Sequence, residues 1–349
     1  MSGGVDSSVA AYLTKKQGFD CTGITMKLFY NEDIGISKEN ICCSASDTKD
    51  ARHVADMLDI PFYVFNFAND FSAQVISRFA EVYRSGATPN PCIDCNRRMK
   101  FDKLLNRIKQ LDGDYLVTGH YARIESDAAS GRYILKKAVD ETKDQSYVLY
   151  FMTQEQLGQT LFPLGALHKN EVRGIAEKQG FINAQKRDSQ DICFVRDGDY
   201  AGFIENYTGK ACLSGDFIDT NGNVLGRHSG HIRYTIGQRK GLGLSLGKPV
   251  YVGSINAEAN TVTICEDSEL YSNSLEAGDF NWITHENTET PIRVKAKIRY
   301  LHNPQWATVT KTSPGCVHVE FDEPQRAIAK GQAVVLYDGE IVAGGGTII

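Results

Sequence analysis

The chain opens with Met1-Ser2-Gly3-Gly4-Val5-Asp6-Ser7-Ser8, and a helical pattern from Val9 to Gln17 follows at once. Two adjacent glycines let the backbone turn with its N–H groups facing one point, and Ser7 and Ser8 add hydroxyl donors. The helix that follows presents the positive end of its dipole to the same point. The stretch therefore predicts a phosphate-binding loop.

This loop is not a Walker loop, because no Gly-Lys-Ser/Thr sequence follows it. Ser2-Gly-Gly-Val-Asp-Ser7 instead resembles the PP-loop of ATP pyrophosphatases, which bind ATP, adenylate a carbonyl or carboxyl oxygen and release pyrophosphate. The resemblance implies that the serines and glycines hold pyrophosphate and that Asp6 lies near Mg²⁺. The alternative interpretation is a flexible, glycine-rich N-terminus. A loop of this kind normally follows a buried strand, and only Met1 precedes it here, so we expect either numbering from an internal methionine or a sheet without its central strand.

Length and composition favour a multidomain cytoplasmic protein. The 349 residues predict two or three domains. Neither a membrane-spanning apolar run nor a signal peptide is found, so we expect no membrane partner. The nine cysteines are an odd number, which argues against a disulfide framework and for catalysis, metal binding or burial. The net charge of −5 argues weakly against nucleic acid, but a basic face can occur on an acidic protein.

Strand and helix patterns alternate through the first half of the chain. They predict strands at 21–29, 61–65, 115–118 and 192–194, and helices at 47–58, 68–84, 95–111 and 168–179. This alternation indicates an α/β fold with a doubly wound parallel sheet. Ligands of such sheets bind beyond the carboxyl ends of the strands, where Met26 and Gly119-His120 are expected.

The character of the sequence changes near residue 200. Six Lys/Arg and three acidic residues lie between 201 and 250, which indicates a basic segment of strands and turns. Alternating stretches nearer the C-terminus, such as 292–300 and 333–337, predict a β-barrel. We therefore expect a nucleotide-binding domain at 1–198, a small central β-rich, basic domain at 199–270 and a C-terminal β-barrel at 271–349.

The loop at 86–95 holds a second set of chemical groups. Pro89 and Pro91 stiffen it, and Cys95 is expected where the next helix begins. The helix dipole, together with the cations at 97, 98 and 100, is expected to lower the pKa of Cys95 and favour a reactive thiolate. Two alternatives stay open for Cys92-x-x-Cys95, half of a structural zinc site and simple burial.

Several motifs together give the most specific signal in the chain. They are the loop at 2–7, Thr88-Pro-Asn-Pro-Cys-Ile-Asp-Cys-Asn96, Thr118-Gly-His-Tyr-Ala122, Lys143-Asp-Gln-Ser-Tyr147, Asp188-Ser-Gln-Asp-Ile-Cys-Phe194, Gly237-Gln-Arg-Lys-Gly-Leu-Gly243 and Gly344-Gly-Gly346. In order and spacing this set resembles the tRNA-specific 2-thiouridylases of the PP-loop ATP pyrophosphatase group. The resemblance implies an adenine nucleotide alpha hydrolase-like first domain.

The resemblance also implies a reaction and its cysteines. ATP adenylates the C2 oxygen of the wobble uridine of tRNA, pyrophosphate leaves, sulfur attacks C2 and AMP departs, giving 2-thiouridine. Cys193 corresponds to the cysteine that carries the persulfide, and Cys95 to the nucleophile that releases the sulfur and ends in a disulfide with Cys193. A cysteine desulfurase or a sulfur-relay protein is the implied sulfur donor. Two cysteines far apart in sequence must then meet, since exchange passes sulfur from one thiol to another.

Binding residues are implied in the same way. The ATP-binding set is Ser2, Gly3, Gly4, Val5, Asp6, Ser7, Ser8, Met26 and Gly119, with Mg²⁺ held through ATP beside Asp6. The tRNA-binding set is Asn90, Pro91, Cys92, His120, Lys143, Asp144, Gln145, Arg299, Tyr300 and Gln332, of which Asn90-Pro91-Cys92 approach the target base.

The chain departs from the family pattern at Cys92, where many relatives have an aspartate proposed as a general acid or base. Cys92, Cys95 and Cys193 form a three-cysteine set that could hold a 4Fe-4S cluster with one open iron. Persulfide and cluster mechanisms therefore both stay open. Two other functions fit parts of the sequence: a PP-loop synthetase or amidotransferase acting on a small metabolite, and a non-catalytic tRNA-binding protein. The basic central segment argues against a small substrate.

Overall fold

In a computed structural model, the fold is described for residues 1–30, 43–128, 130–188, 192–195, 198–284 and 290–349. The described chain forms two compact units, each built from several segments. The first comprises Met1–Val75, Cys92–Phe194 and Glu340–Val342, and the second comprises Ile76–Pro91, Val195–Gly339 and Ala343–Ile349. None of the helices in these ranges has the length and apolar character needed to cross a membrane.

Helices are concentrated in the first half of the chain. The α-helices of the described residues are α1 (Val5–Lys16), α2 (Cys43–Met57), α3 (Ala68–Phe71), α4 (Ser77–Arg84), α5 (Pro91–Asp94), α6 (Leu105–Lys109), α7 (Gln154–Gly158), α8 (Lys169–Lys178) and α9 (Tyr200–Thr208). Two π-helical stretches, Ser72–Ile76 and Cys95–Leu104, link α3 to α4 and α5 to α6. The helices predicted at 47–58, 68–84, 95–111 and 168–179 are therefore present, with shifted ends.

The strands occupy both halves. They are β1 (Gly23–Lys27), β2 (Phe62–Asn66), β3 (Leu116–Val117), β4 (Ala122–Asp127), β5 (Arg132–Lys137), β6 (Thr160–Leu161), β7 (Gly215–Ile218), β8 (Val224–His228), β9 (Tyr251–Asn256), β10 (Thr261–Cys265), β11 (Tyr271–Trp282), β12 (Ile292–Lys297), β13 (Gln305–Ser313), β14 (Cys316–Arg326), β15 (Ala333–Asp338) and β16 (Ile341–Ile348).

The first unit has the predicted parallel α/β architecture. β1 pairs in parallel with β2, and β3 pairs in parallel with β6, so the parallel strands of the described residues form two pairs. The antiparallel hairpin of β4 and β5 was not predicted. The strand predicted at 192–194 is wrong, since these residues form a turn. Phe194 is buried there against Phe71, with ring centroids 5.7 Å apart, and one buried aromatic side chain gives a short apolar run without a strand.

Helix α1 fixes the loop that precedes it. Val5, Val9 and Ala10 are buried and pack in a core that includes Tyr121 and Val172. An acidic side chain lies in the first turn and two lysines lie in the last turn, which complements the helix dipole. The first turn of α1 is therefore held by the core, and the loop at 2–4 has a rigid support.

The second unit holds two β structures. The central one is a four-stranded sheet in the order β8-β7-β10-β9, preceded by α9, a helix that was not predicted. In the other, strands β11 to β16 run in the order β11-β14-β13-β12-β15-β16, and pairing of β11 with β16 closes the predicted barrel. A Cβ atom on Gly344 would lie 2.4 Å from the carbonyl oxygen of Asn281, so this closing strand requires glycine there.

Candidate active site

The loop at 2–8 is tightly turned. Gly3 has a φ of 75°, and a Cβ atom there would lie 2.2 Å from the backbone oxygen of Asp47, so only glycine fits. The backbone N–H of Ser2 donates to the Ser7 hydroxyl over 3.0 Å, and that hydroxyl donates to the carbonyl of Gly4 over 3.0 Å. The loop thus closes on itself at the start of α1.

Gly119 supports the loop from the end of β3. A Cβ atom at Gly119 would lie 2.8 Å from both the carbonyl carbon of Asp6 and the amide nitrogen of Ser7. The backbone that follows a parallel strand therefore packs directly against the first turn of α1, as expected for a nucleotide site in this kind of fold. Met26, half-buried in β1, is the other predicted ATP contact in this region.

Two loop residues face the core. Val5 is buried, and the Ser8 hydroxyl donates to the carbonyl of Gly4 and accepts from the side-chain amide of Asn183 over 2.9 Å. That amide also donates to the carbonyl of Gly3. In this structure Val5 and Ser8 can offer a ligand only their backbone groups, because their side chains are engaged elsewhere.

Asp6 carries the carboxylate of the site. Its Oδ1 and Oδ2 accept from the Lys169 ammonium over 2.7 and 2.8 Å, and Oδ1 also accepts from the Tyr121 hydroxyl over 2.8 Å. Burial, followed by the charge of Asp6, raises the pKa of Tyr121, so its hydroxyl keeps its proton. Neither partner was predicted, since Tyr121 lies in the motif at 118–122 without an assigned role and nothing local marks Lys169.

Asp188 lies next to the Asp6–Lys169 ion pair and contacts three cations. Lys169 and Lys143 each lie 2.8 Å from its carboxylate, and Arg173 lies 3.3 Å from it. Burial alone would raise the pKa of Asp188, but hydrogen bonds from Lys143 and Lys169 outweigh it and lower the pKa to about 2. Asp188 is therefore ionised, and it begins a quoted motif whose residues 189–191 lie outside the described residues.

Lys186 ties the loop to α2. Its ammonium contacts Asp47 and Asp50 over 2.6 Å each and donates to the carbonyl of Gly3 over 3.2 Å. Two ion pairs therefore lie beside the loop, and their residues, Lys186, Asp47 and Asp50, do not belong to the predicted ATP-binding set. The polar run at 186–188 was the only sequence signal that marked this region.

The three cysteines of interest, Cys92, Cys95 and Cys193, lie in the first unit and are not joined by disulfides. Burial raises the pKa of Cys193 to about 12, and the charges of Cys95 and Cys92 add to this, which places the three thiols within electrostatic range of one another. Solvent reaches the Cys92 and Cys193 side chains at the surface, but the protein around them is dense enough to desolvate both sulfurs.

The predicted thiolate at Cys95 is wrong for this structure. Burial raises the pKa of Cys95 to about 11, and the opposing charge of Lys100 is too small to offset it. The helical segment also begins at Pro91, so Cys95 lies in the second turn rather than at the positive end of the helix. The charge of Lys100 partly opposes the effect of burial on the pKa of all three thiols.

His120 orients Lys100. The Lys100 ammonium can only donate, so His120 Nε2 accepts it over 3.4 Å, and Nδ1–H then donates to the Thr118 hydroxyl over 2.7 Å. Burial lowers the pKa of His120 well below its ordinary value, in agreement with this neutral ring. His120 is buried, which does not favour its predicted direct contact with tRNA.

An iron–sulfur cluster is not supported by this geometry. Within the described ranges, no three His, Cys, Asp or Glu side chains are arranged to hold a metal ion. The three cysteines share a neighbourhood without forming a ligand set, so the cluster hypothesis stays a prediction.

Comparison with known proteins gives the family. The profile described as "tRNA methyl transferase HUP domain" matches residues 1–197, "tRNA methyl transferase PRC-barrel domain" matches 201–266, and "Aminomethyltransferase beta-barrel domain" matches 272–348. The tRNA-specific 2-thiouridylase MnmA of Clostridioides difficile strain 630 is 51% identical over 348 residues, covering 100% of this chain and 96% of that protein. The chain belongs to the tRNA-specific 2-thiouridylase family.

Other relatives agree in identity and coverage. The 2-thiouridylase of Lachnoclostridium phytofermentans is 51% identical over 350 residues, covering 100% of this chain and 98% of that protein. Among solved structures, the U34-tRNA thiolase NcsA from Methanococcus maripaludis with its [4Fe-4S] cluster covers 60% of this chain and 66% of its own, with 18% identity and a TM-score of 0.36.

Several residues that the 2-thiouridylase pattern assigns to tRNA binding form hydrogen bonds or ion pairs within the protein in this structure. The Asp144 carboxylate accepts from the backbone N–H groups of Ala138 and Ser146, and Gln145 accepts from the N–H of Tyr121 over 3.0 Å. Lys143 is paired to Asp188. In this structure the motif at 143–147 therefore anchors the backbone near the loop at 2–8.

The family positions in the second unit behave similarly. The Gln332 amide donates to the carbonyls of Thr88 and Pro89 over 3.0 and 3.3 Å, just before Asn90 and Pro91. The Arg299 guanidinium donates to the carbonyl of Arg326, whereas the ring of Tyr300 is exposed. Gln332 therefore positions the loop that the family pattern brings to the target base.

Proposed function

We propose that this protein is an ATP-dependent tRNA sulfurtransferase that converts the wobble uridine of tRNA to 2-thiouridine and releases AMP and pyrophosphate. One observation supports this most directly. A single unit of this 2-thiouridylase family member contains both a PP-loop packed against Gly119 and the thiols Cys95 and Cys193, which lie within electrostatic range of each other. The first feature suits adenylation, and the second suits sulfur transfer.

The ATP site is assigned to the loop. Its backbone N–H groups at the start of α1, together with the hydroxyls of Ser2 and Ser7, suit phosphate oxygens. The half-buried Asp6 carboxylate is a hard oxygen ligand of the kind that Mg²⁺ prefers. When bound, Mg²⁺ would neutralise phosphate charge. The uridine C2 oxygen attacks the α-phosphorus of ATP, a new O–P bond forms, and the bond to the β-phosphate breaks to release pyrophosphate.

Sulfur transfer is assigned to the cysteines. The terminal sulfur of a Cys193 persulfide attacks C2, and AMP leaves with the electrons of the C2–O bond. The Cys95 thiolate then attacks the inner sulfur of Cys193, which breaks the S–S bond to the transferred sulfur and forms a Cys95–Cys193 disulfide. The two thiols are oxidised as the sulfane sulfur is reduced, so an external dithiol must restore them.

The partners follow from this chemistry. We assign catalysis to residues 1–198 and tRNA binding to the basic segment at 199–270 and the barrel at 271–349. Arg239 and Lys240 are exposed in the central segment and suit phosphate contacts. The persulfide requires a sulfur donor, a cysteine desulfurase or a sulfur-relay protein, and we place the reaction in the cytoplasm.

Reconstitution tests the proposal. The protein is combined with MgATP, a persulfide donor and a tRNA transcript bearing a wobble uridine, and nucleosides are analysed by mass spectrometry. We expect 2-thiouridine with equal amounts of AMP and pyrophosphate, and we expect Asp6→Ala to abolish all three products while retaining tRNA binding. Exchange of pyrophosphate into ATP without tRNA would instead support a small-metabolite synthetase, and no turnover under any condition would support a tRNA-binding protein.

A further inference from the structure

We propose that Lys169 is a mobile cation of the ATP site: it holds Asp6 when the site is empty, yields Asp6 to Mg²⁺ and then contacts the phosphates of ATP. The inference rests on the proposed function for the identity of the nucleotide. It adds a residue and a change of state that the loop motif does not contain.

Lys169 occupies both oxygens of the carboxylate that the metal needs. Its ammonium lies 2.7 and 2.8 Å from the two Asp6 oxygens, and only 11% of its side chain is exposed. A divalent cation at Asp6 would meet this ammonium at close range in a partly buried place, where like charges repel strongly. Because Lys169 contacts both oxygens, a metal can bind Asp6 only if the ammonium leaves at least one of them.

Asp188 keeps the displaced lysine in the site. It accepts from Lys169 over 2.8 Å and also binds Lys143 and Arg173. The two carboxylates of Asp6 and Asp188 thus share three cations, Lys169, Lys143 and Arg173, beside a loop suited to phosphate. Lys169 can release Asp6 and remain attached to Asp188, because the flexible lysine stem turns about a second fixed partner.

The backbone of Lys169 stays fixed during this change. Its N–H donates to the Asp140 carboxylate over 2.9 Å at the first residue of α8, and the backbone N–H of His168 donates to the Glu171 carboxylate over 2.7 Å. Only the side chain has to move. Lys169 is therefore a positioning residue for Asp6 in the empty site and a phosphate ligand in the filled one.

Metal binding without nucleotide gives a sharp test. Lys169→Met removes the ammonium from both Asp6 oxygens and leaves only the neutral Tyr121 hydroxyl on Oδ1. The affinity for Mn²⁺ alone, measured by electron paramagnetic resonance, should therefore rise about tenfold, while binding of a non-hydrolysable MgATP analogue, measured by calorimetry, should weaken about tenfold. Lys103→Met is the matched control, because Lys103 forms an ion pair of 2.7 Å with Asp70 that involves neither Asp6 nor Asp188. Neither affinity should change in that variant.

A purely structural lysine would give a different result. Loss of both affinities in Lys169→Met, or no change in either, would overturn the proposal. These readouts do not use tRNA or sulfur, so the proposal can fail while the wild-type protein still thiolates tRNA, and it can hold if thiolation fails.

A measurement on the wild-type protein covers the case in which Lys169→Met does not fold. Acylation of Lys169 by an amine-directed reagent is followed by peptide mass spectrometry. We expect it to be slow in the free protein, faster with Mn²⁺ alone and slow again with the MgATP analogue. Equal reactivity in all three states would contradict the proposed movement.

Discussion

The side-chain amide of Gln332 donates to the backbone oxygen of Thr88 over 3.0 Å, so a residue of the barrel end holds the segment that leads to Cys92. The N–H of Thr88 also donates to the carbonyl of Lys330 over 2.8 Å. These bonds lie within the second unit. They fix the backbone two residues before Asn90, the residue that the family pattern places at the target base.

Loss of the Gln332 donor should therefore affect the reaction more than binding. Gln332→Ala and Gln332→Glu both remove the donated hydrogen bonds, and we expect each to slow single-turnover thiolation by about tenfold, since about 1–1.5 kcal/mol of positioning is lost. The dissociation constant for tRNA should change little. A large loss of tRNA affinity with an unchanged single-turnover rate would show that Gln332 contacts tRNA directly.

Gly119 offers a test of the nucleotide site. In Gly119→Ala, the new methyl group would meet the backbone of Asp6 and Ser7 at 2.8 Å, which must displace the loop. We expect tRNA-dependent exchange of pyrophosphate into ATP to fall by about a hundredfold or more, because misplacement by about 1 Å costs that much. Gly174→Ala in α8 is the control, since no atom lies within 4 Å of its new Cβ. Equal exchange in the two variants would show that ATP binds elsewhere.

Local sequence patterns predicted the α/β first domain, the C-terminal barrel and the nucleotide loop. The loop at 2–8 and Gly119 were recognisable from short motifs, since a phosphate cradle needs glycine and helix residues close in sequence. Lys169 was not, because it lies 163 residues from Asp6 and ion pairing across that distance depends on the tertiary fold. The predicted lowering of the Cys95 pKa was wrong for a related reason. Burial raises this pKa, and burial cannot be inferred from the charges of residues that are neighbours in sequence.

The rate of sulfur transfer should rise with pH, because Cys95 reacts as a thiolate. Burial raises the pKa of Cys95 to about 11, so near neutral pH only a small fraction is thiolate, and that fraction rises as the pH rises toward the pKa. In single turnover from a preformed Cys193 persulfide, we expect formation of the Cys95–Cys193 disulfide to accelerate about tenfold per pH unit between about pH 7 and 9. Lys100→Met should lower the rate at each pH and leave the slope unchanged. A rate independent of pH would show that Cys95 is already deprotonated.

Asp188 should stabilise the fold in a pH-dependent way. Hydrogen bonds from Lys143 and Lys169 outweigh burial and lower its pKa from 3.8 to about 2, so its contribution is present above the unfolded pKa and is lost as the pH falls through about 4 to 2. We expect Asp188→Asn to lower the free energy of unfolding at pH 7 by about 1–2 kcal/mol. Urea unfolding at pH 7, 4 and 3 should show the difference shrinking with acidity, and a difference that stays constant would contradict the assignment.

In the proposed reaction, sulfur passes from Cys193 to tRNA with Cys95 as the resolving thiol. The most direct measurement uses iron-free protein carrying one isotopically labelled sulfur on Cys193, mixed with MgATP and tRNA for one turnover, then analysed by mass spectrometry of the nucleosides and of the peptides. Cys92→Asp and Cys92→Ala are carried through the same measurement.

We predict that labelled sulfur appears in 2-thiouridine in proportion to a new Cys95–Cys193 disulfide, that Cys95→Ser forms no such disulfide, and that Cys92→Asp keeps much of the transfer. Unlabelled product, transfer only after iron is restored, or a Cys92→Ala protein that loses iron and activity together would contradict sulfur transfer through a Cys193 persulfide.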